Sequence, residues 1–229
     1  MEIDPMRIGL VGQSEGGIVA PRAATKLRDV SFIVLLAGVG VPMDELLVRQ
    51  GRDLAQVMGA SEEEIATSAA TQRDIFRVIK TEMDPAAAEA AVRKVIREQI
   101  SSMTAEQRQA LGLSDAMVDA QVKMVLSPWF RDLVVYDPRP TLKAVKCPVL
   151  ALNGEKDLQV AAKENLAAIR EALAAGGNQK VETVALPGLN HLFQTCQTGA
   201  IAEYGKIEET FNPAAMKLVS DWIRGITAR

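Results

Sequence analysis

The sequence predicts an α/β fold in which a parallel β-sheet is interrupted by a long helical segment. Two short apolar runs, at 6–11 and 31–37, have the composition of strands that are buried on both faces. The segment 15–27 between them predicts a helix, so the three form a strand-helix-strand crossover. Two further strands, at 147–153 and 181–186, follow a helix-rich stretch.

That helix-rich stretch contains alanine, glutamate, glutamine, arginine and methionine, with apolar residues at helical spacing. Ser61 followed by Glu64 predicts a capping box at one helix start. We therefore predict an all-helical insertion of four or five helices over residues 42–127. Residues 1–41 and 128–229 then form the domain that carries the sheet.

The last helix is predicted over residues 213–226, and it has an apolar stripe. We expect this stripe to pack in the core. Its members are Met216, Val219, Trp222, Ile223 and Ile226.

The composition is that of an ordinary globular protein: 229 residues, 48% hydrophobic and 24% charged. A net charge of −3 argues against nucleic acid or an anionic membrane as the main partner. No run approaches the roughly 18 apolar residues needed to span a bilayer, and the first residues lack a signal-peptide pattern. We therefore expect a cytoplasmic protein that works without a membrane.

One histidine and two distant cysteines do not provide the spacing of a zinc site, so we expect no metal and no cofactor. Cys147 and Cys196 are expected to be free, mostly buried thiols, with a disulfide as the alternative.

An apolar strand runs directly into the pattern G-Q-S-E-G at 12–16. The pattern G-x-S-x-G is typical of a nucleophile elbow, a sharp strand-to-helix turn that holds a serine in a strained backbone conformation. We expect a side chain at Gly12 or Gly16 to collide with the neighbouring strand and helix. The elbow predicts Ser14 as a nucleophile whose hydroxyl stands above the sheet edge.

A nucleophilic serine needs a base, and the base needs an orienting carboxylate. His191 is the only histidine of the chain, and it follows the last predicted strand. A lone histidine is more often structural, but here a loop could place it over Ser14. Asp157 follows the strand 147–153, at the end where parallel-sheet enzymes carry their chemistry. Glu155 is the alternative acid.

These motifs resemble the α/β-hydrolase superfamily, specifically the bacterial serine esterases and peptidase-like hydrolases whose elbows read Gly-His-Ser-Glu-Gly-Gly. The stretches that carry the resemblance are 8–17, 32–38, 40–42, 127–131, 136–138 and 147–157. The resemblance implies strands five to eight of an eight-stranded fold, a partial parallel sheet with a helical cap inserted between the sixth and seventh strands.

The same resemblance implies hydrolysis of a small or medium carboxylic ester through an acyl-enzyme. Ser14, Asp157 and His191 would form the triad in the order expected of this architecture, and the Glu15 backbone N–H would be one oxyanion donor. Gln13 stands where the family usually has histidine. A peptidase or an acyl-CoA thioesterase of the same fold is the alternative, because one triad serves all three reactions.

Two aromatic residues, Trp129 and Phe130, lie where the helical segment returns to the sheet. They are predicted either to anchor the packing there or to form an apolar wall of the substrate pocket, with Gln13 beside the elbow.

The strand at 6–11 would be an edge, because the resemblance pairs it with a strand that this sequence lacks. An unpaired apolar edge is a template for association, so we expect a homodimer or higher homo-oligomer that covers it. The family's second oxyanion donor also comes from a missing strand, so a further alternative is a weakly active chain that acts as an oligomerisation or binding module.

Overall fold

The computed structural model describes residues 4, 7–110 and 112–228. In chain order its elements are β1 (Gly9–Gln13), α1 (Gly16–Lys26), β2 (Phe32–Leu36), α2 (Met43–Val57), α3 (Glu62–Thr81), α4 (Pro85–Ser102), α5 (Ala105–Ala110), α6 (Asp115–Val125), α7 (Pro128–Val134), α8 (Pro138–Ala144), β3 (Val149–Gly154), α9 (Ala162–Ala175), β4 (Val181–Leu186), α10 (Ile201–Tyr204) and α11 (Pro213–Thr227). They fall into two compact units.

The first unit comprises Met1–Pro42 and Asp137–Arg229, and the second is Met43–Tyr136. The division places α7 in the helical unit, where the sequence-based boundary has residues 128–136 with the sheet. The reason lies in the contacts of this short helix, because Val134 is fully buried in the helical core and Phe130 packs against that core.

In the described part of the first unit, the sheet has four parallel strands in the order β1-β2-β3-β4. The predicted α/β fold with a partial parallel sheet is confirmed. The two central strands are buried at every position, which explains their continuous apolar sequences. Residue 6 of the first predicted strand lies outside the described residues, and β1 begins at Gly9.

One face of the sheet is covered by α1, α8 and α9. Side chains that alternate along the strands, such as Ile33 and Leu35 of β2, point into a core that includes Leu142, Ile169 and Leu173 of the helices. All five are at most 1% exposed. This packed layer holds the strands, and therefore the loops at their carboxyl ends, in fixed positions.

The opposite face carries α11. The Trp222 ring packs edge-on against Phe32 of β2, with centroids 6.0 Å apart. The predicted core stripe of this helix is wrong for Met216, which is 57% exposed, and Ala215 is the only α11 residue among the described core residues. Periodicity identified the apolar face, but little of the described chain covers it.

Strand β1 is an edge of the sheet within the described residues. Just before the strand, the Ile8 carbonyl accepts from Ser31 N, and just after it Ser14 N donates to Leu36 O. Since successive residues of a strand point their backbone groups to alternate sides, Gly9, Val11 and Gln13 point theirs outward. Val11 is 56% exposed.

The helical unit is built from α2 to α7 around its own core of Val48, Ile75, Phe76, Val92 and Val122, among others. The predicted capping box at Ser61 and Glu64 is present at the start of α3. The two ends of the unit are joined, because Met43 N donates to Tyr136 O at 3.0 Å. No helix among the described residues is long and apolar enough to cross a membrane.

Candidate active site

The strand β1 runs into a strained turn at Ser14. Its φ of 52° lies in the left-handed region, which a serine adopts only at a cost of about 1–3 kcal/mol. The turn is held on both sides: Ser14 N donates to Leu36 O at 2.9 Å, and Ser14 O accepts from Gly17 N at 2.8 Å. The geometry is that of a nucleophile elbow between β1 and α1.

The glycines of the elbow do not all serve the same purpose. A Cβ at Gly12 would lie 2.1 Å from the Gly16 carbonyl oxygen, so this position excludes any side chain. The expected collision at Gly16 is wrong, because a Cβ there meets no atom of the described chain within 4 Å. Gly17 is the second constrained position, where a Cβ would lie 2.7 Å from Gly38 Cα. The difference arises because Gly17, unlike Gly16, faces the segment after β2.

Asp157 follows β3 and is held by three hydrogen bonds. Its Oδ1 accepts from the backbone N–H groups of Gln159 at 2.8 Å and Val160 at 2.9 Å. Its Oδ2 lies 2.8 Å from Nδ1 of His191. The side chains of Asp157 and His191 are 0% and 7% exposed. The rival acid Glu155 is exposed, and its hydrogen bond to the described residues is made by its backbone N–H, which donates to Leu186 O.

The turn that carries His191 is fixed by its neighbour Asn190. The Asn190 Oδ1 accepts from Leu192 N and Gln194 N, both at 2.9 Å, and its Nδ2 donates to Gln194 Oε1 at 2.9 Å. Phe193 has a φ of 60°, and its N–H donates to Asn190 O. Such an Asx turn fixes the backbone from which the His191 ring projects.

The acid loop and the histidine turn also contact each other directly. A Cβ at Gly154 would lie 2.2 Å from Leu189 O, so the close approach of the two backbones requires glycine there. Lys156 N donates to Leu189 O at 3.0 Å, and its ammonium donates to Gln197 O at 2.7 Å. Burial raises the pKa of the nearby Tyr204, whose hydroxyl accepts from Gln159 Nε2.

A hydrogen bond connects the histidine turn to the elbow. The Gln13 Nε2 donates to the backbone carbonyl of His191 at 3.3 Å. The hydroxyl of the half-buried Ser14 makes no hydrogen bond to the described residues, and Nε2 of His191 likewise has no described partner. Glu15 is the N-cap residue of α1, so its N–H lies at the helix N-terminus.

The structure therefore brings Asp157 and His191 into contact and ties both to the segment that carries Ser14. Trp129 and Phe130 belong to the helical unit, where Phe130 packs 6.1 Å from Phe76 between ring centroids. Their part in a substrate pocket stays a prediction.

Sequence reasoning missed Asn190 as the residue that shapes the histidine turn. Its signal was the Asn-His pair after Pro187-Gly188, because asparagine commonly hydrogen-bonds the backbone two residues ahead. It also missed the close approach at Gly154, which had no signal beyond the glycine itself.

Part of the chain, including the elbow, matches a known protein family. Residues 2–105 match the family described as BAAT / Acyl-CoA thioester hydrolase C terminal. The match covers slightly less than half of the chain and includes β1, the elbow and β2. Among curated proteins, nothing matches this chain.

Solved structures similar to this chain include MGS-M2, an α/β hydrolase enzyme from a Medee basin deep-sea metagenome library. The identity is 16%, with a TM-score of 0.42, over 98% of this chain and 66% of that chain. The Pyrococcus furiosus esterase Pf2001 is similar at 13% identity and a TM-score of 0.44, over 96% of this chain and 53% of that chain. The non-heme bromoperoxidase BpoC from Mycobacterium tuberculosis is similar at 13% identity and a TM-score of 0.42, over 96% of this chain and 68% of that chain. The chain thus spans about two thirds of the length of MGS-M2 and about half of the length of Pf2001.

Proposed function

We propose that this chain is a serine hydrolase that cleaves carboxylic esters through an acyl-enzyme. The observation that carries the proposal is the buried hydrogen bond between Asp157 Oδ2 and His191 Nδ1, 2.8 Å long. A carboxylate on Nδ1 directs Nε2 toward the role of general base. The strained Ser14 follows directly after the Gln13 whose amide donates to His191 O, which supports Ser14 as the group that this base serves.

In the proposed mechanism, Ser14 Oγ attacks the carbonyl carbon of the ester while its proton passes to His191 Nε2. The Asp157 carboxylate stabilises the imidazolium that forms, and the Glu15 N–H donates to the oxyanion. The intermediate collapses with loss of the alcohol, which takes the proton from His191. Water then attacks the acyl-enzyme, giving its proton to His191, and the carboxylic acid leaves as the proton returns to Ser14.

A thioester is the second candidate substrate. The description of the matched family names acyl-CoA thioester hydrolases. The serine hydroxyl can attack a thioester carbonyl in the same way, with a thiol as the leaving group. A peptide bond is a further alternative, and a module that binds without turnover is the alternative outside catalysis.

The test compares Ser14→Ala, His191→Gln and Asp157→Asn with the wild type on p-nitrophenyl acetate, an acyl-CoA and an aminoacyl anilide. We expect the first two to lower kcat/KM by about four orders of magnitude or more, and Asp157→Asn by about three to four. Glu155→Gln is the matched control, because Glu155 is exposed and the described side-chain partner of His191 is Asp157. It should stay within about twofold of the wild type.

Retained turnover in Ser14→Ala would overturn the proposal, as would equal losses in Glu155→Gln and Asp157→Asn. A fluorophosphonate that labels Ser14 in a protein with no turnover on any of the three substrates would favour the binding module. The substrate with the highest kcat/KM decides between ester, thioester and peptide.

A further inference from the structure

The helical unit contains a groove between α2 and α3 with an unusual charge distribution. Its volume is about 480 Å³. Within the described chain, five basic and two acidic side chains line it, which leaves a net charge of +3 in a protein whose overall charge is −3. The basic members are Arg49, Arg52, Arg73, Arg77 and Lys80, and the acidic ones are Asp44 and Glu45.

The two helices run antiparallel, and cross-contacts fix their register. Lys80 of α3 forms an ion pair with Asp44 of α2. Two turns farther along α2, a Cβ on Gly51 would lie 3.2 Å from Gln72 Oε1. These two contacts place Val48 of α2 opposite Phe76 of α3, because moving up one helix corresponds to moving down the other. Both side chains are buried. The groove therefore has an apolar floor.

Three of the five cations are already neutralised by carboxylates. Lys80 pairs with Asp44; the other two pairs are Arg49 with Asp53 at 2.7 Å and Arg77 with Asp74 at 2.8 Å. Such exposed pairs contribute little to stability, but they screen the charges that they contain.

Arg52 and Arg73 are different. Neither forms an ion pair with a carboxylate among the described residues, although both are exposed and both line the same groove. They directly follow Gly51 and Gln72, the residues at the close approach of the two helices. Two guanidinium groups at one end of a concave surface, each without an ion-pair partner in the described part of the chain, create a positive potential that attracts anions.

We propose that this groove binds an organic phosphate, with a phosphate or pyrophosphate between Arg52 and Arg73 and an apolar or aromatic body on the floor of Val48 and Phe76. Guanidinium groups form paired, charge-assisted hydrogen bonds with phosphate as well as with carboxylate oxygens. Two neighbouring cations favour a phosphate or pyrophosphate over a single carboxylate because the phosphate carries more negative charge. Coenzyme A has this chemistry and is the probe for the test. This inference does not depend on the proposed hydrolase activity, because the binding of free coenzyme A is measured without any turnover.

Calorimetric titration of the full chain with free coenzyme A tests the proposal. We expect binding that weakens between 50 and 500 mM salt, no measurable binding of pantetheine, which lacks every phosphate, and about tenfold weaker binding of pyrophosphate, which lacks the apolar body. Arg52→Glu and Arg73→Glu should each weaken coenzyme A binding by about tenfold or more. Lys123→Glu is the control, because it makes the same charge change at an exposed position on α6 of this unit. Its affinity for coenzyme A should stay within about twofold of the wild type.

Equal affinity for pantetheine and coenzyme A would overturn the phosphate assignment, and equal affinity for pyrophosphate would overturn the apolar body. A loss in Lys123→Glu as large as in the groove variants would reduce the effect to net charge and overturn the site. Circular dichroism confirms folding of each variant. If the reversals unfold the unit, Arg52→Gln and Arg73→Gln replace them, and the pantetheine comparison on the wild type still decides.

Discussion

Replacing Gly12 by alanine should destabilise the sheet unit by about 3 kcal/mol, whereas the same replacement at Gly16 should be neutral or slightly stabilising. The added methyl at Gly12 would lie 2.1 Å from Gly16 O and 2.5 Å from Gly16 C. Both are backbone atoms at the start of α1, so no side-chain rotation relieves the overlap, and the strand and helix must move apart by about 1 Å. Overpacking costs about 1–3 kcal/mol, and a backbone clash belongs at the upper end.

At Gly16 the added methyl meets no described atom within 4 Å. Alanine loses less conformational freedom than glycine on entering a helix, which gives a gain between zero and about 1 kcal/mol. The two substitutions change the same motif by the same atom, so each is the control for the other.

Tryptophan fluorescence can report on the sheet unit alone. The chain has two tryptophans, and Trp222 packs against Phe32 on the sheet, whereas Trp129 lies in the helical unit. In a Trp129→Phe background, thermal unfolding followed at Trp222 should show a midpoint lower by about 6–12 °C for Gly12→Ala. For Gly16→Ala the midpoint should be unchanged or higher. Equal destabilisation by both alanines, or a tolerated Gly12→Ala, would refute the reasoning.

Two further predictions concern association and pH. Light scattering at micromolar concentration should show a homodimer or larger oligomer that covers the outer edge of β1, and Val11→Lys, which puts a charge on this edge, should give a monomer; a stable wild-type monomer would contradict the idea. Asp137 caps α8 by accepting from Arg139 N, and its hydrogen bond with the Arg139 side chain lowers its pKa. Asp137→Ala should therefore cost about 1 kcal/mol at pH 7. Because the folded-state pKa is depressed, this difference should shrink as the pH falls below about 4, which urea midpoints at pH 7 and pH 3 can measure. An unchanged difference at pH 3 would exclude the carboxylate as its source.

The strands were predictable because a strand buried on both faces has a continuous apolar sequence, as in β2 and β3. The contact between Asp157 and His191 was also predictable, since both residues directly follow parallel strands and the carboxyl ends of such strands share one edge of the sheet. Glu155 follows the same strand, and the sequence favoured Asp157 over it because the position of Asp157 matches the pattern of the family that the sequence resembles.

The unequal roles of Gly16 and Gly17 could not be predicted, because a collision depends on where the Cβ points and on which distant segment lies there. The partner of Gly17 is Gly38, which belongs to a different part of the chain. The neighbourhood of Arg52 and Arg73 was hidden for a similar reason. Their positions on one groove follow from the register of two antiparallel helices, which helical periodicity alone does not give.

The hydrogen bond between Met43 N and Tyr136 O has a consequence for the order of folding. To pair β3 with β2, the chain must close a loop of about 110 residues between Leu36 and Val149. If the helical unit folds first, its joined ends shorten the flexible part of that loop to about 20 residues, which lowers the entropic cost of closure by about 1.5 kcal/mol. The residues of the helical unit are synthesised before those of β3. Folding of this unit during synthesis would therefore bring the two ends of the loop together and speed assembly of the sheet.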